Sequence, residues 1–381
     1  MKFCFLIILT FLYVSKAEAT VGYSLFNALQ ITAKWNLTRG IHSKIPIGVV
    51  GAGRIGRMHI ANIIRYIPEA KIRYVADPYL PEHIQNDPAI LSKTSNYTEL
   101  LKDKEISGVA IFTSTDQHVK LIRESLEAGK KYILCEKPVS ADPQEIYELE
   151  KQVDAHSAQV MVAFNRRFDH EIIDIKEKVN MGKIGTPCLL KITNHDGIYP
   201  PMETLKNLGS IFADLHSHDF DSARNILNSE VKSVTAFGAA THPEMKKLSG
   251  SYDTCVVVLR MENDCITMIS GMRQDGGGYQ NAIEAIGTTN RIGFGPRRIV
   301  DSESGEGRNP RDFGEYFEQS MIDELREFVS CISLEKIVPV SLKEARHVAE
   351  VSAAANKSAE IFLQTGKTRE VFIEEIQEEN Y

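Results

Sequence analysis

The chain has 381 residues, 43% of them hydrophobic and 25% charged, and a formal net charge of −7. That length exceeds a usual single domain and predicts two, and the balance is that of a globular protein with ample material for a core. No basic patch marks nucleic acid as a partner, and the acidic stretch Glu374 to Glu379, in residues 371–381, reads as a solvated tail.

Lys2, the apolar run Phe3 to Val14 and the small-residue pattern Ala17-Glu18-Ala19 have the layout of a secretory signal over residues 1–19. The run is too short to span a bilayer comfortably, so no stable membrane span is expected. Residues 20–44 form an N-terminal extension. Three sequons, at Asn36, Asn96 and Asn356, suit a secretory route, whereas an inactive signal leaves the protein in the cytoplasm. Without Cys4, the remaining Cys135, Cys188, Cys255, Cys265 and Cys331 are odd in number and lack metal-type spacing, so a disulfide-built fold is not expected.

The apolar run Ile45 to Val50 predicts a buried strand, followed by Gly51-Ala52-Gly53-Arg54-Ile55-Gly56 and a helix through Met58 to Ile67. A chain leaving a buried strand needs one glycine to turn, a second for close approach to a pyrophosphate and a third for close helix packing. The helix N-terminus then directs unpaired N–H groups at the phosphates. The next strand, Lys71 to Ala76, ends in Asp77, where a carboxylate binds the ribose hydroxyls of NAD and repels the 2′-phosphate of NADP. Pro78-Tyr79-Leu80-Pro81 supplies no compensating cation, so NAD is favoured over NADP.

Ile60, Ile63, Ile64 and Ile67 give the first helix an apolar stripe. Gly108 to Phe112 predicts the next strand, and Thr113-Ser114-Thr115-Asp116 supplies small polar groups and an N-cap, with Ser114 on the cofactor side. The β-α alternation continues through strands Tyr132 to Cys135 and Gln159 to Phe164, giving a Rossmann-type domain over residues 45–165. Beyond it, strands at Cys188 to Asn194, Val231 to Ala240, Thr254 to Met261, Cys265 to Gly271 and Ala282 to Gly287 have several short connections. Short links require antiparallel neighbours, so residues 166–370 are expected to form an α+β domain with a large, mainly antiparallel open sheet. A long helix from Ser341 to Phe362 starts in a capping box of Ser341 and Glu344.

Two segments offer chemistry. Glu136-Lys137-Pro138 follows a strand at the carboxyl edge where open α/β sheets bind ligands; Lys137 reads either as a surface lysine before a turn or as a group facing the nicotinamide. Asp214-Leu215-His216-Ser217-His218-Asp219-Phe220-Asp221, read as one helix, sets Asp214 and His218 a turn apart on one face. His218 then accepts a hydroxyl proton while Asp214 orients its ring or contacts substrate. The run also reads as a metal site, although no second ligand cluster accompanies it. His216, about 200° from His218 around a helix, serves packing or a cap.

Together with Ala128-Gly129-Lys130, Phe164-Asn165-Arg166-Arg167-Phe168-Asp169 and Ile211-Phe212-Ala213, these motifs resemble the Gfo/Idh/MocA oxidoreductase family, in particular its inositol 2-dehydrogenase-like members, over about residues 45–365. The resemblance implies hydride transfer between NAD and a secondary hydroxyl of a cyclitol or sugar-like polyol. It implies Lys137, Asp214 and His218 as catalytic residues, and Gly51, Gly53, Arg54, Ile55, Gly56, Asp77, Ser114 and Glu136 on the cofactor. Arg167, His195 and Tyr279 are implied on the substrate, and an open sheet in a homo-oligomer. The chain departs from the pattern at His195-Asp196-Gly197, Leu208-Gly209-Ser210 and Ala282, all near the expected substrate pocket. The departures weaken an assignment to myo-inositol itself. An NAD-dependent glycosidase of the same fold and a non-catalytic nucleotide-binding protein are the alternatives.

Overall fold

In the computed structural model, residues 44–201, 205, 209–248, 251–300 and 307–380 are described. The signal segment, the extension before Lys44 and the Asn36 sequon lie outside them. The first strand, β1 (Ile45–Val50), runs buried into the glycine turn, and α1 (Arg54–Tyr66) starts directly after it, one turn earlier than its apolar stripe suggests. Ile60, Ile63 and Ile67 are buried beneath this helix.

β2 (Ala70–Ala76), β3 (Ser92–Thr94), β4 (Gly108–Ile111), β5 (Tyr132–Cys135) and β6 (Gln159–Val162) join β1 in a six-stranded parallel sheet of order β3-β2-β1-β4-β5-β6. Helices α2 (Thr115–Glu127) and α3 (Pro143–Ala155) belong to its crossovers. The order reverses between β1 and β4, which opens a crevice at the carboxyl ends of those strands.

A 3-10 turn, Asn165–Phe168, and α4 (His170–Asn180) lead into the second half. There β7 (Pro187–His195), β8 (Val231–Ala239), β9 (Thr254–Met261), β10 (Ile266–Met272), β11 (Gln280–Gly287) and β12 (Arg291–Phe294) form a sheet of order β12-β11-β7-β10-β9-β8, with β15 (Val371–Phe372) at its edge. Its pairings are antiparallel except for the central β7 and β10, which run parallel from Leu189/Ile266 to His195/Met272. This parallel pair ends both strands on the same side, so Asp196 and Arg273 leave the sheet together; the Asp196 N–H donates to the Met272 carbonyl at 2.8 Å.

A small ribbon, β13 (Ile299–Val300) with β14 (Gly307–Arg308), precedes α6 (Glu318–Ser333) and the long α7 (Leu342–Thr365); α5 is Ser217–Leu227. α7 packs on α3 of the first half and on β8 of the second. Its predicted capping box does not form. The Ser341 side chain makes no cap bond, and the Glu344 carboxylate goes to Arg167 and Arg224.

The acidic end is also not a solvated tail. Val371 enters β15 (Val371–Phe372), and α8 (Ile373–Asn380) buries Ile373 and Ile376 while its glutamates face outward to Lys357 and Arg369. Among the described residues no helix is long and apolar enough to cross a membrane, and all five cysteines are free thiols.

Candidate active site

Gly51 leaves β1 at φ +100°, and a Cβ there would lie 2.6 Å from the Phe112 carbonyl oxygen. Gly56 presses its α-carbon on the Gly51 carbonyl, 2.3 Å from where a Cβ would stand, which draws α1 onto the strand. Gly53 instead faces open space, with nothing within 4 Å of a Cβ. It starts α1 without a side-chain cap, and no acidic residue occupies the first turn. The result is a concave helix N-terminus suited to an anion.

Asp77, at the end of β2, accepts the Ala52 N–H at 2.7 Å and the Tyr79 N–H at 2.7 Å, one on each carboxylate oxygen. Its carboxylate is thereby fixed beside the glycine turn with lone pairs to spare for vicinal hydroxyls. These features fit a dinucleotide with a free ribose 2′-hydroxyl. Arg54 leans from the turn to Asp312 at 3.1 Å and over the Phe313 ring, while Ile55 is half-buried. Ser114 opens α2 without a side-chain cap bond.

Glu136 has a different place from the one expected on the cofactor. Its carboxylate turns inward to His59 Nε2 at 2.9 Å and accepts the Lys137 N–H at 3.0 Å, so it braces the turn that carries Lys137. Burial opposes its charge, but His59 and Lys137 outweigh burial and hold it below the ordinary carboxylate range.

Lys137 reaches across to the second half of the chain. Its ammonium donates to the Asp214 carbonyl at 2.8 Å and to Asp214 Oδ1 at 3.4 Å, while Arg273 Nη1 donates to Oδ2 at 2.8 Å. Burial raises the Asp214 pKa, yet the two cations outweigh it and keep the carboxylate ionised. Asp196 faces the same group. Burial and the Asp214 charge push it up to about 6, against the pull of Arg273, Lys137 and Arg166.

The segment Asp214 to Asp221 is not one helix. A short turn, Ile211–Asp214, capped by Ser210, ends before α5 begins at Ser217, and the His216 N–H bonds back to the Ile211 carbonyl. Asp214 therefore does not orient the His218 ring by a hydrogen bond; it is held by Lys137 and Arg273. His218 lies edge-on to Phe164, ring centroids 6.1 Å apart, and its Nδ1 is buried without a partner. Burial, then Lys137 and Arg166, hold its pKa well below that of an ordinary imidazole. It is a neutral base at neutral pH.

Three substrate expectations change. Arg167 is bound by Asp221 and Glu344, away from the cluster. Its neighbour Arg166 points the other way on the 3-10 turn, donating to Asp219 and to the Tyr279 hydroxyl, and its charge acts on both His218 and Asp196. His195 alternates with the buried Asn194 along β7, so it projects from the opposite sheet face, paired with Asp275 at 2.9 Å. Tyr279 is 1% exposed and supports the cluster from behind, donating to Asn194 Oδ1 at 3.2 Å. Arg166, Asp196 and Arg273 are the residues that sequence reasoning missed. The usable signal for the last two was a charged side chain immediately past each of two adjacent strands.

A parallel nucleotide-binding sheet whose edge lysine meets a carboxylate and a neutral imidazole from a second sheet defines a two-domain, dinucleotide-dependent oxidoreductase. The chain belongs to the Gfo/Idh/MocA family: residues 45–164 match the model described as the oxidoreductase family with an NAD-binding Rossmann fold, and residues 172–293 match the Gfo/Idh/MocA C-terminal domain. It is 31% identical to a myo-inositol 2-dehydrogenase of Thermotoga maritima, covering 87% of this chain and 99% of that one. It is 29% identical to an NAD-dependent scyllo-inositol 2-dehydrogenase of Bacillus subtilis, covering 83% and 94%. Among solved structures it is similar to a probable dehydrogenase from Thermotoga maritima, with TM-score 0.80, 30% identity and coverage of 87% and 99%.

Proposed function

We infer that this protein is an NAD-dependent oxidoreductase that oxidises a secondary hydroxyl of a cyclitol or sugar-like polyol. One observation carries the reading. Lys137 of the nucleotide-binding half and Arg273 of the other half grip one carboxylate, Asp214, beside a neutral His218 whose Nδ1 has no protein partner. The family supplies the cofactor fold, and the relatives' inositol substrates give the substrate class.

Bound NAD supplies the hydride acceptor for the carbinol carbon. His218 takes the hydroxyl proton as the carbonyl forms; its depressed pKa keeps it unprotonated for that task. The Lys137 ammonium stabilises negative charge growing on the alcohol oxygen, and Asp214, fixed by Arg273, holds that ammonium in place. The balance is one hydride to the cofactor and one proton to His218, and the reverse direction uses the same groups.

The test is a panel of inositols, aldoses and aryl glycosides with NAD and with NADP, read at 340 nm for NADH and by chromatography for released sugar. Reduction of NAD by at least one cyclic polyol supports the reading; sugar release without net NADH would instead identify a glycosidase, and nucleotide binding with no turnover a non-catalytic protein.

Two further proposals accompany this function. The sheet face carrying Met268, Val256 and Phe237 exposes these apolar side chains at 44%, 42% and 37%, and we propose that a second copy of the chain covers it. Light scattering of a Met268→Asp variant should show smaller particles than wild type. Residues 1–19 are proposed to be a cleaved secretory signal; a mature chain beginning at Thr20 supports this, and one beginning at Met1 contradicts it.

A further inference from the structure

Behind the cleft lies a buried set of polar groups that the reaction does not use directly. His216 and Asp219 are 0% exposed and Cys255 is 3% exposed. His216 Nδ1 bonds to Asp219 Oδ2 at 2.7 Å, and its Nε2 meets the Cys255 sulfur at 3.0 Å. Asp219 Oδ2 also accepts from Asn194 Nδ2 at 2.8 Å, while Oδ1 accepts from Arg166 Nη1.

The imidazole has been given room. Gly271 of β10 pairs with Cys255 of β9 and Asn194 of β7, and a Cβ on it would lie 1.9 Å from His216 Nε2 and 2.1 Å from Cε1. A histidine at 216 thus demands glycine at 271. The break between the Ile211–Asp214 turn and α5 is what turns the ring down onto that glycine instead of out along a helix face.

Arg166 hangs on the same carboxylate. Its other supports are the Tyr279 hydroxyl at 3.3 Å and the Phe317 ring, 5.0 Å from the guanidinium carbon. Asp219 is the one anion among them, so whatever fixes Asp219 fixes the direction of this guanidinium, whose charge bears on His218 and Asp196.

We propose that His216, seated over Gly271 between Cys255 and Asp219, is a positioning residue for Arg166: by donating from Nδ1 it locks the Asp219 carboxylate that aims this cation at the polyol-binding side of the cleft. The inference rests on the dehydrogenase reading for its effect on substrate but not for its structural content. Burial disfavours a charged ring at 216, yet Cys255 and Asp219 push its pKa up to about 10, so Nδ1 keeps its proton at working pH.

The test compares the full-length wild type with His216→Asn, His216→Gln and Cys255→Ala. Asparagine retains a donor where Nδ1 stood and loses the sulfur contact; glutamine retains reach toward the sulfur and loses the donor to Asp219. Removing a hydrogen bond to a buried charge should raise the polyol KM about tenfold or more in His216→Gln, with kcat and the NAD KM within about threefold of wild type. His216→Asn restores the polyol KM to within about threefold, and Cys255→Ala leaves it there. Equal losses in the Asn and Gln variants, or a fall in kcat with KM unchanged, overturn the proposal.

Two measurements need no turnover. In 15N-histidine spectra of the wild type at pH 8, Nδ1 of His216 carries a proton; a bare Nδ1 overturns the proposal even in an active enzyme. Gly271→Ala lowers the melting temperature and His216→Asn in the same chain recovers it, because the clashing Cε1 and Nε2 are gone; lack of recovery contradicts the placement of the ring. A wild type that reduces no NAD yet passes both tests would sink the dehydrogenase reading and leave this contact network standing.

Discussion

His218 and Asp196 show how neighbouring charges give two ionisable groups opposite tasks. Burial and the cations Lys137 and Arg166 disfavour a proton on His218, which leaves the ring neutral as the proposed base requires. His218→Ala should lower kcat by about a hundredfold or more while NAD still binds, since a positioned base contributes on this scale; fluorescence titration of the cofactor separates the two effects. Asp196 moves the other way, to about 6, under burial and the Asp214 charge. It is protonated below that pH and there loses the charge that would make it a strong acceptor for a polyol hydroxyl in the proposed reaction. kcat/KM should therefore fall as pH drops through about 6, and Asp196→Asn should abolish that limb. The linkage sign gives an independent check. A folded-state pKa above the unfolded one means that the native chain holds this proton more tightly, so stability is lost as pH rises from the ordinary aspartate range to about 6. Asp196→Asn should then melt higher than wild type at pH 8; a lower melting temperature would mean that the charge is satisfied in the fold.

At the level of elements, the first half of the chain was readable because each local rule agreed with the next. β1, the glycine turn, α1, β2 and Asp77 follow from apolar runs, glycine chemistry and a carboxylate at a strand end. The structure adds the amide bonds that brace Asp77. Asp77→Ala should raise the NAD KM about tenfold or more, the scale of a lost bond to a charged group, and shift preference toward NADP; initial rates with each cofactor measure it. The second half was less readable for stated reasons. Continuous helical spacing from Asp214 to Asp221 hid the break that separates Asp214 from His218, since nothing in Leu215-His216 signals a stop. Arg166 and Arg167 are adjacent in sequence, and only the 3-10 turn decides that the first enters the cluster while the second meets Asp221 and Glu344. His195 was implied on the substrate by the resemblance alone, and only the register of β7 shows that it projects opposite the buried Asn194 and pairs with Asp275.

Across the whole molecule, the site exists only because two sheets meet, and α7 with the C-terminal segment helps hold them. α7 touches α3 on one side and β8 on the other, and β15 with α8 closes over β8 and α7. Deleting residues 371–381 removes the buried Val371, Ile373 and Ile376, a loss of about 3 kcal/mol or more in apolar burial. The melting temperature should fall by several degrees, and kcat should suffer less than stability, because no residue of the cleft lies in that segment. An unchanged melting temperature would show that the C-terminal helix does not contribute to the fold's stability.

The central claim is that Lys137 and His218 act on one polyol hydroxyl while its carbon gives up a hydride to bound NAD. Its most direct test is a cyclic polyol carrying deuterium on the carbinol carbons, turned over with NAD and followed by mass spectrometry of the cofactor. The account predicts reduced cofactor one mass unit heavier and a ketone product that has lost one deuterium, with both signals absent in His218→Ala on the same timescale. Product formed with its deuterium retained and no labelled NADH would contradict it.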